Sequence, residues 1–253
     1  MSLRSGRLVS WVRAWRAGLV PFDDVAPAVQ SGDAEHEVAD LPGQLHAVPL
    51  RTALAELSEV DPAAVRLVVP APGDPRGLPG PGDFSIAALA AGEGALCGAT
   101  GLVPAVERHV SGSGDVWHTV RWHVLPLPDA PVRPEAVSVA EAEHDLVDAL
   151  RTSTDALRDL DVARWRPELT QALADLRRNG ATADLPPGYD RRAHQLLHRA
   201  DLVARIVTLA GEDAPGAAVN AYEASRRDAA LRPLATAARR ARAAAHNAPF
   251  GLG

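Results

Sequence analysis

Apolar residues recur along this chain at two different spacings, and the change of spacing divides it. Leu8, Trp11, Val12, Trp15 and Leu19 fall three and four apart, the period of a helix with one apolar face. Arg13 and Ala17 lie opposite that stripe, and Pro21 ends the helix. The stripe is expected to dock on a sheet rather than on a membrane surface. Asp23 to Val29 reads as a second short helix, and Ser31 to Glu37 as a polar loop. Pro49 opens a third helix, with Leu50, Leu54 and Leu57 on its apolar face, and Asp61-Pro62 breaks it. Phe84 to Ala91 is Ala-rich and fits either a helix or a buried strand.

Between these helices the pattern turns to strands. Val65 to Val69 is a short apolar run, and Gly101 to Val110 and Val116 to Leu125 are two longer ones. Ser111-Gly112-Ser113-Gly114-Asp115 joins the last two as the turn of a hairpin. Trp117 and Trp122 stand five apart, so a strand carries them on opposite faces, which predicts a sheet covered on both. Trp122 is expected to be buried with Val116, Val120 and Val124. A glycine- and proline-rich loop, Gly73 to Gly82, separates the first strand from the Ala-rich segment at Phe84.

Pro126, Pro128, Pro131 and Pro134 then mark a linker, after which every pattern is helical. Ser138-Val139-Ala140-Glu141 has the form of a capping box and starts a helix to about Leu160. Pro167 opens another, and Asp190 caps one that ends near Gly211. The last runs from Pro215 to about His246, with Pro233 expected to kink or split it. The fold class is therefore α+β. Residues 1–131 form a small mixed α/β domain, 135–247 an antiparallel helical bundle, and 248–253 a tail.

Composition narrows the chemistry more than the fold. All 26 basic residues are arginine, against 32 acidic ones, for a net charge of −6. The abundance of Ala, Gly, Pro and Arg fits a high-GC bacterial genome. Without lysine there is no Schiff base, no phosphate-loop lysine and no lysine general base. One cysteine, Cys97, excludes an internal disulfide and points to a reducing, cytoplasmic setting. Neither a signal peptide nor a membrane span of about twenty apolar residues is apparent.

Metal ligation is the first candidate chemistry. His194, His198 and Asp201 lie at i, i+4 and i+7 on one side of their helix, and Glu141 and His144 have the Glu-x-x-His spacing. At about 100° per residue, Leu197, Ala200, Val203, Ala204 and Val207 take the opposite side, so all three candidate ligands are expected to face outward. Gly92-Glu93-Gly94 has two glycines of a dinucleotide loop, but Cys97 stands in the third place and the order of strand and helix is reversed. Pro75, Pro79 and Pro81 spoil the Gly73–Gly82 loop as a phosphate cradle, because they have no N–H to offer. Cys97 among small apolar neighbours reads as buried, Ser113 sits in a turn, and His118 and His123 face opposite ways. Arg239, Arg240 and Arg242, beside Arg232, form the densest basic cluster, read as a solvated helix end. Arg226 is expected to be buried, with Glu143 as its partner.

These residues leave three functional readings. The first is a non-enzymatic protein that binds another protein, through the Gly/Pro loop or an inter-domain groove. The second is a metal-dependent enzyme using His194, His198 and Asp201. The third is nucleic-acid association through the final arginine cluster. No cofactor is implied.

Overall fold

A computed structural model describes residues 3–57, 59–129, 137–159, 185–212 and 221–251. The fold is α+β. Two compact units divide it: Ser2–Glu135 with Leu185–Tyr189 and Pro249–Gly253, and Ala136–Asp184 with Asp190–Ala248.

The first unit is built on one sheet. Helices α1 (Arg4–Arg16) and α2 (Phe22–Gln30) lead to strand β1 (Glu35–Ala39). Strand β2 (Val48–Pro49), helix α3 (Leu50–Glu56) and strand β3 (Val65–Val68) come next. Helix α4 (Asp83–Ala91) precedes β4 (Gly94–Cys97), β5 (Thr100–Val110) and β6 (Val116–Pro126). The strand order is β2-β1-β6-β5-β4-β3, with β1 and β6 parallel and every other pair antiparallel. The expected polar loop at 31–37 is thus partly wrong, because Glu35 onward is sheet. Its alternation is real but disguised: His36 and Val38 point into the core between outward Glu35 and Glu37.

One face of the sheet carries α1, α2 and α3. Val38, Val65, Leu67, Ala95, Leu102, Val120 and Trp122 meet Leu8, Val9, Val12, Val25, Val29, Leu50 and Leu54 there, all fully or nearly buried. The helix that was expected to bury one stripe buries most of its circumference. Ser5, Gly6, Ser10 and Arg13 are buried along with Leu8, Val9 and Val12, while Trp11 and Trp15 are only half-buried. Small residues let other chain segments approach α1 closely, and Arg13 explains one of those approaches. Its Nη1 donates to Tyr189 Oη at 3.0 Å, and its guanidinium lies 5.2 Å from the Phe250 ring. The two aromatic segments are tied together by Gly251 N–H donating to Gly188 O at 2.8 Å.

The other face holds a smaller core of Val68, Phe84, Ala88, Leu96 and Val103, with Leu78 of the Gly/Pro loop folded against it. Phe84 lies so close to the sheet that two strand positions must be glycine. A Cβ on Gly101 would stand 2.2 Å from the Phe84 ring, and one on Gly94 would stand 2.9 Å from it. Gly101→Ala is therefore expected to cost about 1–3 kcal/mol by overpacking. A second change, Phe84→Leu, should recover part of that loss. Urea midpoints of the single and double variants test this, and additive losses would show that the ring is not the obstacle.

The second unit is helical where it is described: α5 (Val139–Asp159), α6 (Arg191–Glu212) and α7 (Ala221–His246). The capping box forms reciprocally, with Ser138 N–H donating to Glu141 Oε2 and Glu141 N–H to Ser138 Oγ. Of the expected kink or split at Pro233, the split does not occur: helix α7 continues through the proline. The helix expected from Pro167 lies outside the described residues. Asp201 of α6 touches Arg242 of α7, and this fixes how the two helices run. Were they parallel, the connection would have to span roughly 48 Å, and its eight residues reach only about 32 Å. They are antiparallel. Contacts of Glu143 with Arg192 and Arg199, and of Ser153 with Ala230, then make α5 run with α6 and against α7.

Candidate functional site

A dense, largely buried polar arrangement gathers around Asp33, in the turn between α2 and β1. Arg4 grips its carboxylate with two hydrogen bonds, Nε to Oδ2 at 2.8 Å and Nη2 to Oδ1 at 2.7 Å. Arg7 adds a third at 3.3 Å, and His36 Nε2 lies 3.1 Å from Oδ2. On the far side of the imidazole, Trp122 Nε1 donates to His36 Nδ1 at 3.3 Å. An indole N–H can only donate, so Nδ1 must accept, and the proton must sit on Nε2 facing Asp33. Burial pushes the Asp33 carboxyl up, but the hydrogen bonds from Arg4 and His36 outweigh it and hold the group below its ordinary range. Burial lowers the His36 imidazole, which Asp33 only partly offsets.

An Asp–His pair of this kind orients a general base in many enzymes. Here it cannot serve as one. Both ring nitrogens of His36 are engaged and its side chain is fully buried, so no lone pair faces a substrate. The network ties α1, the turn before β1 and strand β6 together.

It also predicts a pH dependence. Protonating His36 would point a new N–H at the N–H of Trp122, with Arg4 and Arg7 adding repulsion. The folded-state value is depressed, so the unfolded chain takes up the proton first, and stability should fall as pH drops below about 6.5. Trp122→Phe removes the opposing donor and should flatten this slope between pH 8 and pH 6, at whatever absolute stability it retains. Equal slopes in the two proteins would show that the indole does not hold the tautomer.

Glu93 is a second buried carboxylate with a structural task. Leu3, at the head of α1, offers no side-chain cap, and Ser5 N–H donates instead to Glu93 Oε2 at 2.7 Å. An anion at a helix N-terminus is favoured by the helix dipole. Burial nonetheless raises the Glu93 carboxyl, with the N–H groups of Ser5 and Arg4 working against that. The loop Gly92-Glu93-Gly94 follows a helix and precedes a strand, as the sequence order implied. Cys97 is fully buried in β4, and burial pushes its thiol up to about 12, far from a reactive thiolate.

The three proposed metal ligands fare differently from one another. His198 is exposed and His194 half-buried, but Asp201 is buried, contrary to its expected outward position. The flank of α6 that carries Asp201 is covered by α7, and Arg242 Nε donates to Asp201 Oδ1 at 2.6 Å. Among the described residues no three His, Cys, Asp or Glu side chains converge as ligands for a metal ion. Glu141 is spent in the helix cap, and His144 pairs with Asp148 on the surface.

The arginine cluster is not the solvated helix end that was expected. Arg242 is buried, Arg239 and Arg240 are half-buried, and His246 beyond them is 3% exposed. Arg226 is exposed rather than buried, and Glu143 pairs with Arg192 and Arg199 instead. Within the cluster under α3, Val38, Leu50, Leu54, Thr100, Leu102 and Val124 leave an apolar void of about 20 Å³, room for one water and no substrate.

What the sequence did not single out is the outer half of the hairpin. From Ala105 to Val110, and from Val116 to Trp117, the two strands run beyond the helices that cover the sheet. Val106, Val110, Val116 and Trp117 are 40, 52, 48 and 39% exposed. Val116 is in phase with Trp122 but lies past the reach of the core, so only Val120 and Val124 accompany Trp122 inside. On the opposite face His109 stacks on Trp117 with ring centres 5.4 Å apart.

Two family models together cover most of this chain. Residues 5–137 match the N-terminal domain of Rv1486c-like proteins, and residues 140–243 match their C-terminal domain. The chain belongs to the Rv1486c-like family. Relatives in Mycobacterium tuberculosis include the uncharacterized protein Rv1486c of strain H37Rv and the uncharacterized protein MT1533 of strain CDC 1551. Each is 30% identical over an alignment 277 positions long, covering 93% of this chain and 93% of the relative. No solved structure matches. The family's mycobacterial members agree with the high-GC composition. Among the described residues of this member, no helix is long and apolar enough to cross a membrane.

Proposed function

We propose that this protein acts by binding another protein, without catalysis, and that the outer half of the β5–β6 hairpin is its contact element. One observation carries the reading: Val106, Val110 and Val116 stand exposed on one face of a two-stranded ribbon past the end of the core, and Trp117 is exposed on its other face. Such a ribbon is only marginally stable in water by itself, and exposed apolar patches mark interaction sites. The Gly/Pro loop is a weaker candidate, because Leu78 and Pro79 are turned into the fold. The side chains that suggest chemistry are occupied within the fold: His36 by Asp33 and Trp122, and Asp201 by Arg242. A cytoplasmic setting fits the single free cysteine.

A benzophenone side chain placed at Val116 of the full chain tests the reading in lysate of a mycobacterial host. Protein adducts are expected on irradiation from that position. None is expected from Leu45, which is more open at 95% exposure but lies in a loop. Equal labelling at both positions, or none at Val116, would remove the hairpin as contact element.

A further inference from the structure

The backbone of the hairpin shows which way its unpaired groups point. Ser111 N–H donates to Asp115 O, which makes 111 and 115 a pair that bonds across the ribbon. The alternation of an antiparallel ladder then assigns inward bonding to 109/117, 107/119 and 105/121. Ala34 N–H donates to His118 O from the β1 side, which confirms that 118, and its opposite residue 108, turn their groups outward. So do Val106 and Val110, and also Pro104, which has a carbonyl but no N–H. Strand β4 pairs with β5 only from Thr100 to Leu102. Among the described residues, the outer edge of β5 from Pro104 to Val110 therefore carries no strand.

Resting on the reading of the hairpin as contact element, we propose that its partner is a second copy of this chain, paired edge to edge along β5. The two strands run antiparallel about a two-fold axis beside Arg108. That register lets every outward N–H of the edge bond: Arg108 with Arg108 of the partner subunit, Val106 with Val110 of the partner subunit, and Val110 with Val106 of the partner subunit. Centring the axis on Val106 instead would run the partner into Leu102, which β4 already holds. Centring it on Val110 would set Val106 against the Gly114 turn.

Side chains support the same register, because residues opposite each other in an antiparallel pair share a face. Val106 meets Val110 of the partner subunit on one face. Glu107 meets His109 of the partner subunit on the other, an acid against a base. The one like-charge contact is Arg108 with itself, at an exposed position where the two side chains can diverge. A two-fold contact of this kind closes on itself, so it ends at two chains and does not propagate. Pro104 assists by ending the ladder. An edge of this length buries less than the roughly 1,200–2,000 Å² of a stable interface, so the dimer should be weak, with a dissociation constant of about 10⁻⁵–10⁻⁴ M.

Sedimentation velocity of the full chain, from about 1 to about 500 μM, should show a monomer passing to a dimer. Val110→Pro removes an outward N–H that the ribbon itself does not use, and should abolish the dimer with little change in melting temperature. Arg108→Thr removes the like charges and should tighten it several-fold. Arg108→Cys should form a disulfide-linked dimer under mild oxidation, since opposed residues lie about 5.5 Å apart, within disulfide reach. Glu107→Cys, two residues out of register with itself, should not. A chain that stays monomeric throughout and gives no Arg108→Cys disulfide overturns the proposal. So does a dimer that survives Val110→Pro. If the Val116 adducts to other proteins still appear in lysate, the protein-binding reading stands and only the choice of partner falls.

Discussion

Arg242→Ala should destabilise the helical unit by about 3–5 kcal/mol, because it strands a charge that the fold has taken out of water. Asp201 is 6% exposed, and Arg242 Nε reaches its Oδ1 at 2.6 Å. Removing the guanidinium leaves the Asp201 carboxylate buried without it, whereas Asp201→Ala takes from Arg242 its 2.6 Å acceptor and should cost less. Replacing both by apolar residues of similar volume, Asp201→Leu with Arg242→Met, should cost less than either single change. That reversal separates a desolvated pair from an exposed one, which is worth no more than about 1 kcal/mol and would show near-additive small losses. Urea denaturation followed by helical circular dichroism gives the three values. A loss below about 1 kcal/mol for Arg242→Ala would mean that water reaches the pair.

The same pair shows where reading the sequence stops. A helical wheel built from α6 alone sees only that helix's own apolar residues, and it put Asp201 with His194 and His198 on the outside. The wheel placed the apolar centre correctly, around Leu197 and Ala200. It could not know that α7 covers one flank with an arginine. Arg13 was misplaced for the same reason, since the rings that cover it come from residues 189 and 250. Local signals fared better. The hairpin was legible from its alternation and its Gly/Ser turn, the capping box from Ser138 and Glu141, and the start of α6 from Asp190, which accepts from Ala193 N–H at 2.8 Å. Strand β1 was hidden because a histidine, not an aliphatic residue, takes one of its two inward places. The Asp33-x-x-His36 spacing was the signal that could have exposed it. Its parallel pairing with β6 joins residues more than eighty apart, and no local pattern encodes that.

Trp122→Ala should cost the first unit about 3–5 kcal/mol, through loss of a fully buried ring and the cavity it leaves. The side chain is 0% exposed between Val120 and Val124, at the centre of the face that α1, α2 and α3 cover. Its loss also removes the donor to His36 Nδ1, so a buried acceptor goes unpaired, and with it the tautomer that hydrogen-bonds Asp33. Trp122→Phe separates the two contributions. It keeps most of the apolar volume and forfeits the hydrogen bond, which should cost about 1–3 kcal/mol beyond the smaller ring. The alanine variant should show at least the flattening expected of phenylalanine, because water entering the cavity can accept or donate at Nδ1 and stabilise either form of the imidazole. Denaturation midpoints at pH 8 report the packing, and their change by pH 6 reports the hydrogen bond. A midpoint that scarcely moves in Trp122→Ala would place the ring outside the core, and the phase assigned to β6 would then be wrong along its whole length.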